Sequence, residues 1–125
     1  MSFEKFIYKR RPVLDTPMIS VMKSGQLGIN QEAYRRYFKD YKYVFFYYDK
    51  NKKIIGLEPT NDATSESYAI RVSRDGKLAN ISGIAFLKYC KIPHENTKAY
   101  LCKRDEKEGM IIIELREAQK ELPLK

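Results

Sequence analysis

With 125 residues, 43% hydrophobic and 32% charged, the chain is one domain's worth of polypeptide and reads as globular rather than disordered. No apolar run approaches the roughly twenty residues of a membrane-spanning helix, and the start, M-S-F-E-K-F-I-Y-K-R-R-P, lacks the apolar stretch and cleavage site of a secretory signal; a cytoplasmic protein without a membrane partner is expected. The formal net charge of +8 makes a polyanion the first partner to consider.

That charge is uneven. Residues 1–17 carry four basic side chains against two acidic, residues 18–60 eight against four, and the remainder twelve against ten. Within residues 1–17, Phe3, Phe6 and Ile7 have the spacing of one helical turn, after which Lys9, Arg10, Arg11 and Pro12 break it. Lys9, Arg10 and Arg11 are candidates for a basic amino-terminal arm lying along phosphate or in a minor groove.

Residues 19–22 alternate apolar and polar, and Leu27 and Ile29 resume the alternation after K-S-G-Q, which reads as strand, glycine turn, strand. Asn30 then offers an oxygen to cap a short helix over 31–39, with Ala33, Tyr34, Tyr37 and Phe38 on its buried face and Arg35 and Arg36 outside. Y-V-F-F-Y-Y over 43–48 is the strongest strand signal; with a hydrophilic tip and I-I-G-L over 54–57 it predicts a hairpin. The aromatic run could form a stacking platform for single-stranded nucleic acid, but packed barrel strands account for it more simply.

The pattern then returns. Ile19, Val21, Lys23, Gly25 and Leu27 match Ile70, Val72, Arg74, Gly76 and Leu78 at an offset of 51. From Asn30 onward the offset is 52, matching Asn30 with Ser82 as helix cap, Ala33 with Ala85 and Tyr34 with Phe86. After a longer gap I-I-G-L-E at 54–58 matches M-I-I-I-E at 110–114. An ordered self-match along most of a chain is the mark of a duplicated supersecondary unit. The expected organisation is a 1–17 basic arm, a first unit over 18–60, a 61–67 linker, a second unit over 68–115 and a 116–125 tail, all in one structural domain. Both faces of the hairpin strands look apolar, so each unit should need the other for cover.

No constellation for chemistry stands out. Cys90, Cys102 and the single His94 lack zinc spacing, G-Q-L-G at 25–28 is not a phosphate loop, and no nucleophile–base pair is evident, so a non-enzyme without metal or cofactor is expected. His94 follows Pro93 in a turn and should be exposed.

Strand, glycine turn, strand, capped short helix and hairpin, with K-S-G-Q-L at 23–27 and R-D-G-K-L at 74–78, resembles the AbrB (SpoVT-AbrB) swapped-hairpin family. Two units in one chain resemble its double-unit, MraZ-like members. The resemblance implies a β-rich α+β fold in which two tandem β-β-α-β-β repeats interlock into one intramolecular pseudo-dimeric barrel. It also implies a DNA-binding, transcription-regulator-like protein, with duplex DNA met by Lys23 and Gln26 in the first unit and Arg71, Arg74 and Lys77 in the second. Arg35 and Arg36 would add phosphate contacts. The chain departs from the family at Gln26 and Lys77, where the family has Arg after the turn glycine, and at Asn30 and Ser82, where it has Pro at the helix start. The alternative is an antitoxin-like or homo-oligomerising protein-interaction module.

Overall fold

The computed structural model describes residues 16–117 and 120–121. It contains β1 (Met18–Val21), β2 (Gln26–Ile29), a single α-helical turn α1 (Gln31–Ala33) continuing as a π-helical segment (Tyr34–Phe38), β3 (Tyr43–Asp49) and β4 (Ile54–Thr60). Then come β5 (Tyr68–Ala69), β6 (Arg71–Val72), β7 (Ala79–Ser82), α2 (Ile84–Tyr89), β8 (Lys98–Asp105), β9 (Met110–Glu114), a 3-10 turn (Leu115–Glu117) and β10 (Lys120–Glu121).

All strand pairs are antiparallel, in the order β5-β3-β4-β9-β8-β1-β2-β7-β6, with β10 added to β8. The two ends of that order, β5 and β6, are separated in the chain by Ile70 alone, so the sheet curls into a nearly closed barrel with few helices. Ile70 marks the break: β5 pairs with β3, β6 pairs with β7, and the Ile70 N–H donates to the Lys42 carbonyl (2.9 Å).

Two ladders join the halves at the poles of the barrel. Gly28 faces Asn80 across β2 and β7, with Leu27 opposite Ile81 and Ile29 opposite Ala79, and this set maps onto itself at an offset of 52. Gly56 likewise faces Ile112 across β4 and β9, with Ile55 opposite Ile113 and Leu57 opposite Ile111, a set that maps onto itself at an offset of 56. The halves correspond in strand order and in their local hairpins, since Val21–Leu27 matches Val72–Ala79 and Asp49–Ile54 matches Asp105–Met110, but β1–β8 and β3–β5, which a twofold would exchange, differ in register by two residues. The two hairpin tips match as well: Asp49 Oδ1 accepts from the Lys52 N–H and Asp105 Oδ1 from the Glu108 N–H, while Lys53 (φ 59°) and Gly109 (φ 70°) take the same left-handed turn position.

Around the barrel, pairs within residues 18–60 or 68–114 alternate with pairs between them. β1–β2, β3–β4, β6–β7 and β8–β9 are local hairpins; β2–β7, β1–β8, β4–β9 and β3–β5 join the two halves. The single core follows: Ile19, Leu27, Ile29, Phe38, Ile55 and Leu57 from one half pack with Ile81, Leu87, Ile111 and Ile113 from the other, all buried.

Several expectations need correction. The added residue of the second half lies before Ala79, because Leu27 and Ala79 hold equivalent buried positions in the strand pairing, whereas Leu78 is 54% exposed. Ser82 ends β7 and does not cap α2; Gly83 occupies the cap position without a side-chain bond. Ala85 is exposed and Phe86 is buried, so the helix faces match one residue later than their sequence similarity. Asn30 does cap α1, its Oδ1 accepting from the Ala33 N–H (2.9 Å) and also from the Met18 N–H (3.1 Å). The π-helical turn has a reason: Ala33 and Phe38, five residues apart, are both buried, and the looser winding brings such a pair closer to one face. The hairpins are not covered on both sides, since Tyr47 and Leu101 on their outer face are 46% and 44% exposed. The inner face of the aromatic strand is core: Phe46 stacks on Phe86 with centroids 4.5 Å apart. His94 is half-buried, its Nδ1 2.9 Å from the Ile92 carbonyl oxygen, which leaves Nδ1 as the donor. Among the described residues no helix is long and apolar enough to cross a membrane.

Candidate nucleic-acid interface

Because Ile19, Val21, Leu27, Ile29, Ala79 and Ile81 point into the core, their neighbours along the strands point out. The registers Ser20–Gly28, Gly28–Asn80 and Asn80–Arg71 set those four residues in one row across β1, β2, β7 and β6. Gln26 opposite Ser82 makes the next row. Ser20, Gly28, Asn80, Gln26 and Ser82 make this outer face largely polar, with Met22 lying beside Gly28, its Sδ 3.5 Å from the position of a Cβ there, and Arg71 at the edge. Since β2 and β7 run antiparallel, the first glycine turn (residues 22–25) and the second (residues 73–78) lie at opposite ends of the face. At about 3.4 Å per residue they stand roughly 17 Å apart.

The sequence-designated residues fall into three groups. Lys23, Gln26, Arg71, Arg74 and Lys77 border this face, and all but the half-buried Gln26 are exposed. Arg35 and Arg36 sit on the π-helical segment with both guanidiniums bound to Glu32. Hydrogen bonds from Arg35 first and then Arg36 hold the Glu32 carboxyl below its usual range, and the Glu32 bond raises Arg36. Both arginines are thus partly neutralised. Lys9, Arg10 and Arg11 lie outside the described residues.

The two turns differ in support. In the first, the Gly25 N–H donates to the Met22 carbonyl (2.8 Å), and the Gly25 carbonyl accepts from the Gly83 N–H (3.0 Å). Gly25 has φ +93°, and a Cβ there would come within 2.4 Å of Ile84 Cδ1, so both the angle and the space demand glycine. The Lys23 N–H donates to Thr97 Oγ1 (3.0 Å), 74 residues away. Lys23 also borders a cleft of about 340 Å³ with Ile92, Pro93, His94 and Glu95.

The second turn is held by itself. Ser73 N–H donates to the Leu78 carbonyl (2.8 Å), Ser73 Oγ to Asp75 Oδ1 (2.6 Å), the Lys77 N–H to the same Oδ1 (3.0 Å) and the Leu78 N–H to Ser73 Oγ (3.1 Å). The Ser73 and Lys77 bonds keep the Asp75 carboxyl below its usual range. Nothing lies within 4 Å of a Cβ placed on Gly76, and residues 71–78 are all exposed. The turn is ordered internally and unbraced externally.

One length difference contributes to this. Four residues (39–42) join the first helical segment to β3, whereas eight (90–97) join α2 to β8. The longer connection reaches the first turn through Thr97; the shorter one leaves the second turn uncovered. Thr97 was not singled out from sequence, because an isolated threonine in a loop carries no signal of a contact 74 residues away.

The opposite pole differs in chemistry. Tyr47, Gly56, Ile112 and Lys103 form its central row, with Ile54 and Met110 beside them. Tyr47 OH donates to Glu58 (2.7 Å) and Lys103 pairs with Glu114 (3.7 Å), which are equivalent contacts at the offset of 56. The Glu58 bond leads the rise in the Tyr47 pKa. Compared with protein-family models, curated proteins and solved structures, the chain matches none.

Proposed function

We propose that the chain is a cytoplasmic, non-catalytic DNA-binding regulator in which two tandem AbrB-like swapped-hairpin units form one pseudo-dimer. Duplex DNA is met by the β1–β2–β7–β6 face. The observation that carries this reading is a largely polar outer sheet face with an exposed basic turn at each end, Lys23 at one and Arg74 and Lys77 at the other, and Arg71 exposed at its edge. Ser20, Gly28 and Asn80 keep the middle of the sheet face low, and the net charge of +8 supplies attraction at long range. Each phosphate neutralised steepens the salt dependence of affinity by about 0.9 in log–log slope, so four contacts give about −3.6. Fluorescence anisotropy with a mixed-sequence 20-base-pair duplex between about 50 and 300 mM salt tests the reading. Undetectable binding at 50 mM would discard it.

The opposite pole favours a second reading, a homo-oligomerising module. Tyr47 and Leu101 are exposed beside Ile54, Met110 and Ile112, and a second copy would cover them. Sedimentation of the wild type and of Ile112→Lys decides this reading: it predicts a dimer that the substitution dissociates, and a monomeric wild type removes it.

A further inference from the structure

The two halves correspond in strand order, yet their glycine turns are not equivalent, and on the DNA reading above this difference has a consequence for what the chain reads. The second turn closes the β6–β7 ribbon, and a two-stranded ribbon fits the major groove. Its tip carries Arg74 and Lys77, with Arg71 at its base, and two large apolar side chains are exposed on opposite sides of it: Val72, 44% exposed, opposite Ala79 on the core side, and Leu78, 54% exposed, on the outer side with Asn80. Their counterparts in the strand pairing, Val21 and Leu27's neighbour Gln26, are respectively buried and polar. Exposed aliphatic groups beside guanidinium donors are suited to base edges, where thymine methyls accept apolar contact and guanine accepts a bidentate arginine.

The first turn has none of this freedom. Its backbone is tied at Thr97 and Gly83, its glycine is packed on Ile84, and its one cation is Lys23. A lysine on a braced backbone contributes a point charge, which positions a duplex without reading it.

We infer that a single chain recognises a non-palindromic duplex site: the 71–78 turn enters the major groove and reads bases through Arg74 and Leu78, while the Lys23 turn clamps phosphate half a site away. This inference rests on the DNA reading. The internal bonds from Ser73 and Asp75 support it, since a preformed tip loses less conformational entropy on entering a groove than a loose one. So does the absence of any packing around Gly76, which leaves the tip free to project.

The test is selection from a random 20-base-pair duplex library, retaining complexes with one chain per duplex as resolved by electrophoresis. The wild type should enrich a motif with no twofold symmetry. Arg74→Ala combined with Leu78→Ser should lower the ratio of selected to random duplex affinity at least tenfold. Lys23→Ala should weaken both duplexes by the same few-fold factor and leave the ratio unchanged. All these positions are exposed, so thermal melting should not change and serves as the folding control. A palindromic motif in one-chain complexes, no enriched motif despite salt-dependent binding, or a Lys23→Ala variant that loses discrimination as fully as the double variant each overturns the inference and spares the DNA reading. Failure of the wild type to bind any duplex takes down the DNA reading itself and the inference with it.

Discussion

The two glycine turns share a sequence type, a positive φ and a place in the strand pairing, yet one is embedded and the other stands free. Gly25 sits against Ile84 with its carbonyl bonded to Gly83, whereas Gly76 has no neighbour near the position of a Cβ. Two things separate them: the second turn is two residues longer, and the first is packed by the start of α2 at Gly83 and Ile84 and tied to Thr97 in the longer connection between α2 and β8.

The largest test of that contrast is a pair of matched substitutions. Gly25→Ala meets both an unfavourable φ and Ile84, and should destabilise by about 3 kcal/mol. Gly76→Ala meets only the φ term and should cost about 1 kcal/mol. Thermal melting of both variants checks this, and equal losses would show the first turn to be as free as the second. Next in size, Arg71→Ala with Lys77→Ala should flatten the salt slope of duplex binding by about two, and Lys23→Ala by about one. The melting temperature should stay where it was in each case, since exposed charges contribute little to stability. The measurement is the anisotropy titration repeated for each variant.

A smaller effect sharpens the idea of the brace. Thr97→Val removes the acceptor for the Lys23 N–H at a cost of about 1 kcal/mol or less. Amide exchange at Lys23 should quicken, while exchange in the second turn stays constant. The smallest effect is on pH. Asp75 has a depressed pKa because the Ser73 hydroxyl and then the Lys77 N–H bond to its ionised form. Its contribution is therefore complete above the unfolded carboxylate value and lost as pH falls through the folded one. Amide resonances of Lys77 and Leu78 should shift below about pH 4, where carboxylates titrate. Those of Lys23 and Gly25 should not follow, because among the described residues no carboxylate bonds into the first turn, and Asp75→Asn should abolish the transition.

The strands and their turns were legible because each carries its own signal. Y-V-F-F-Y-Y, I-I-G-L and M-I-I-I-E have the composition of strands, and S-G and D-G mark reversals, so β1 to β4, β8 and β9 fall where alternation and turn residues place them. What remained hidden depended on partners. Leu27 matches Leu78 by type, but only the pairing across β2 and β7 reveals that Ala79 holds the equivalent buried position. Ser82 looks like a cap, yet β7 continues through it, opposite Gln26. The outer hairpin face looked destined for burial because Tyr47, Ile54, Ile112 and Leu101 are apolar, and composition does not reveal which side of a strand the core lies on. For the candidate site, charge pattern indicated Lys23, Arg71, Arg74 and Lys77, but the Glu32 clasp on Arg35 and Arg36 required the turn of the helix to be seen.

The alternation of local and cross-half pairs also sets a timetable for the nascent chain. When residues 18–60 have left the ribosome, β1–β2 and β3–β4 can close as hairpins, but β2 awaits β7, β1 awaits β8 and β4 awaits β9, which ends at Glu114. At roughly 5–20 residues per second, those further 54 residues take about 3–11 s. Throughout that interval the first half exposes open strand edges and the inner faces of Ile19, Leu27, Ile55 and Leu57 to solvent. Slow translation of the second half, or a truncation within it, lengthens that exposure and turns a folding delay into a route to aggregation.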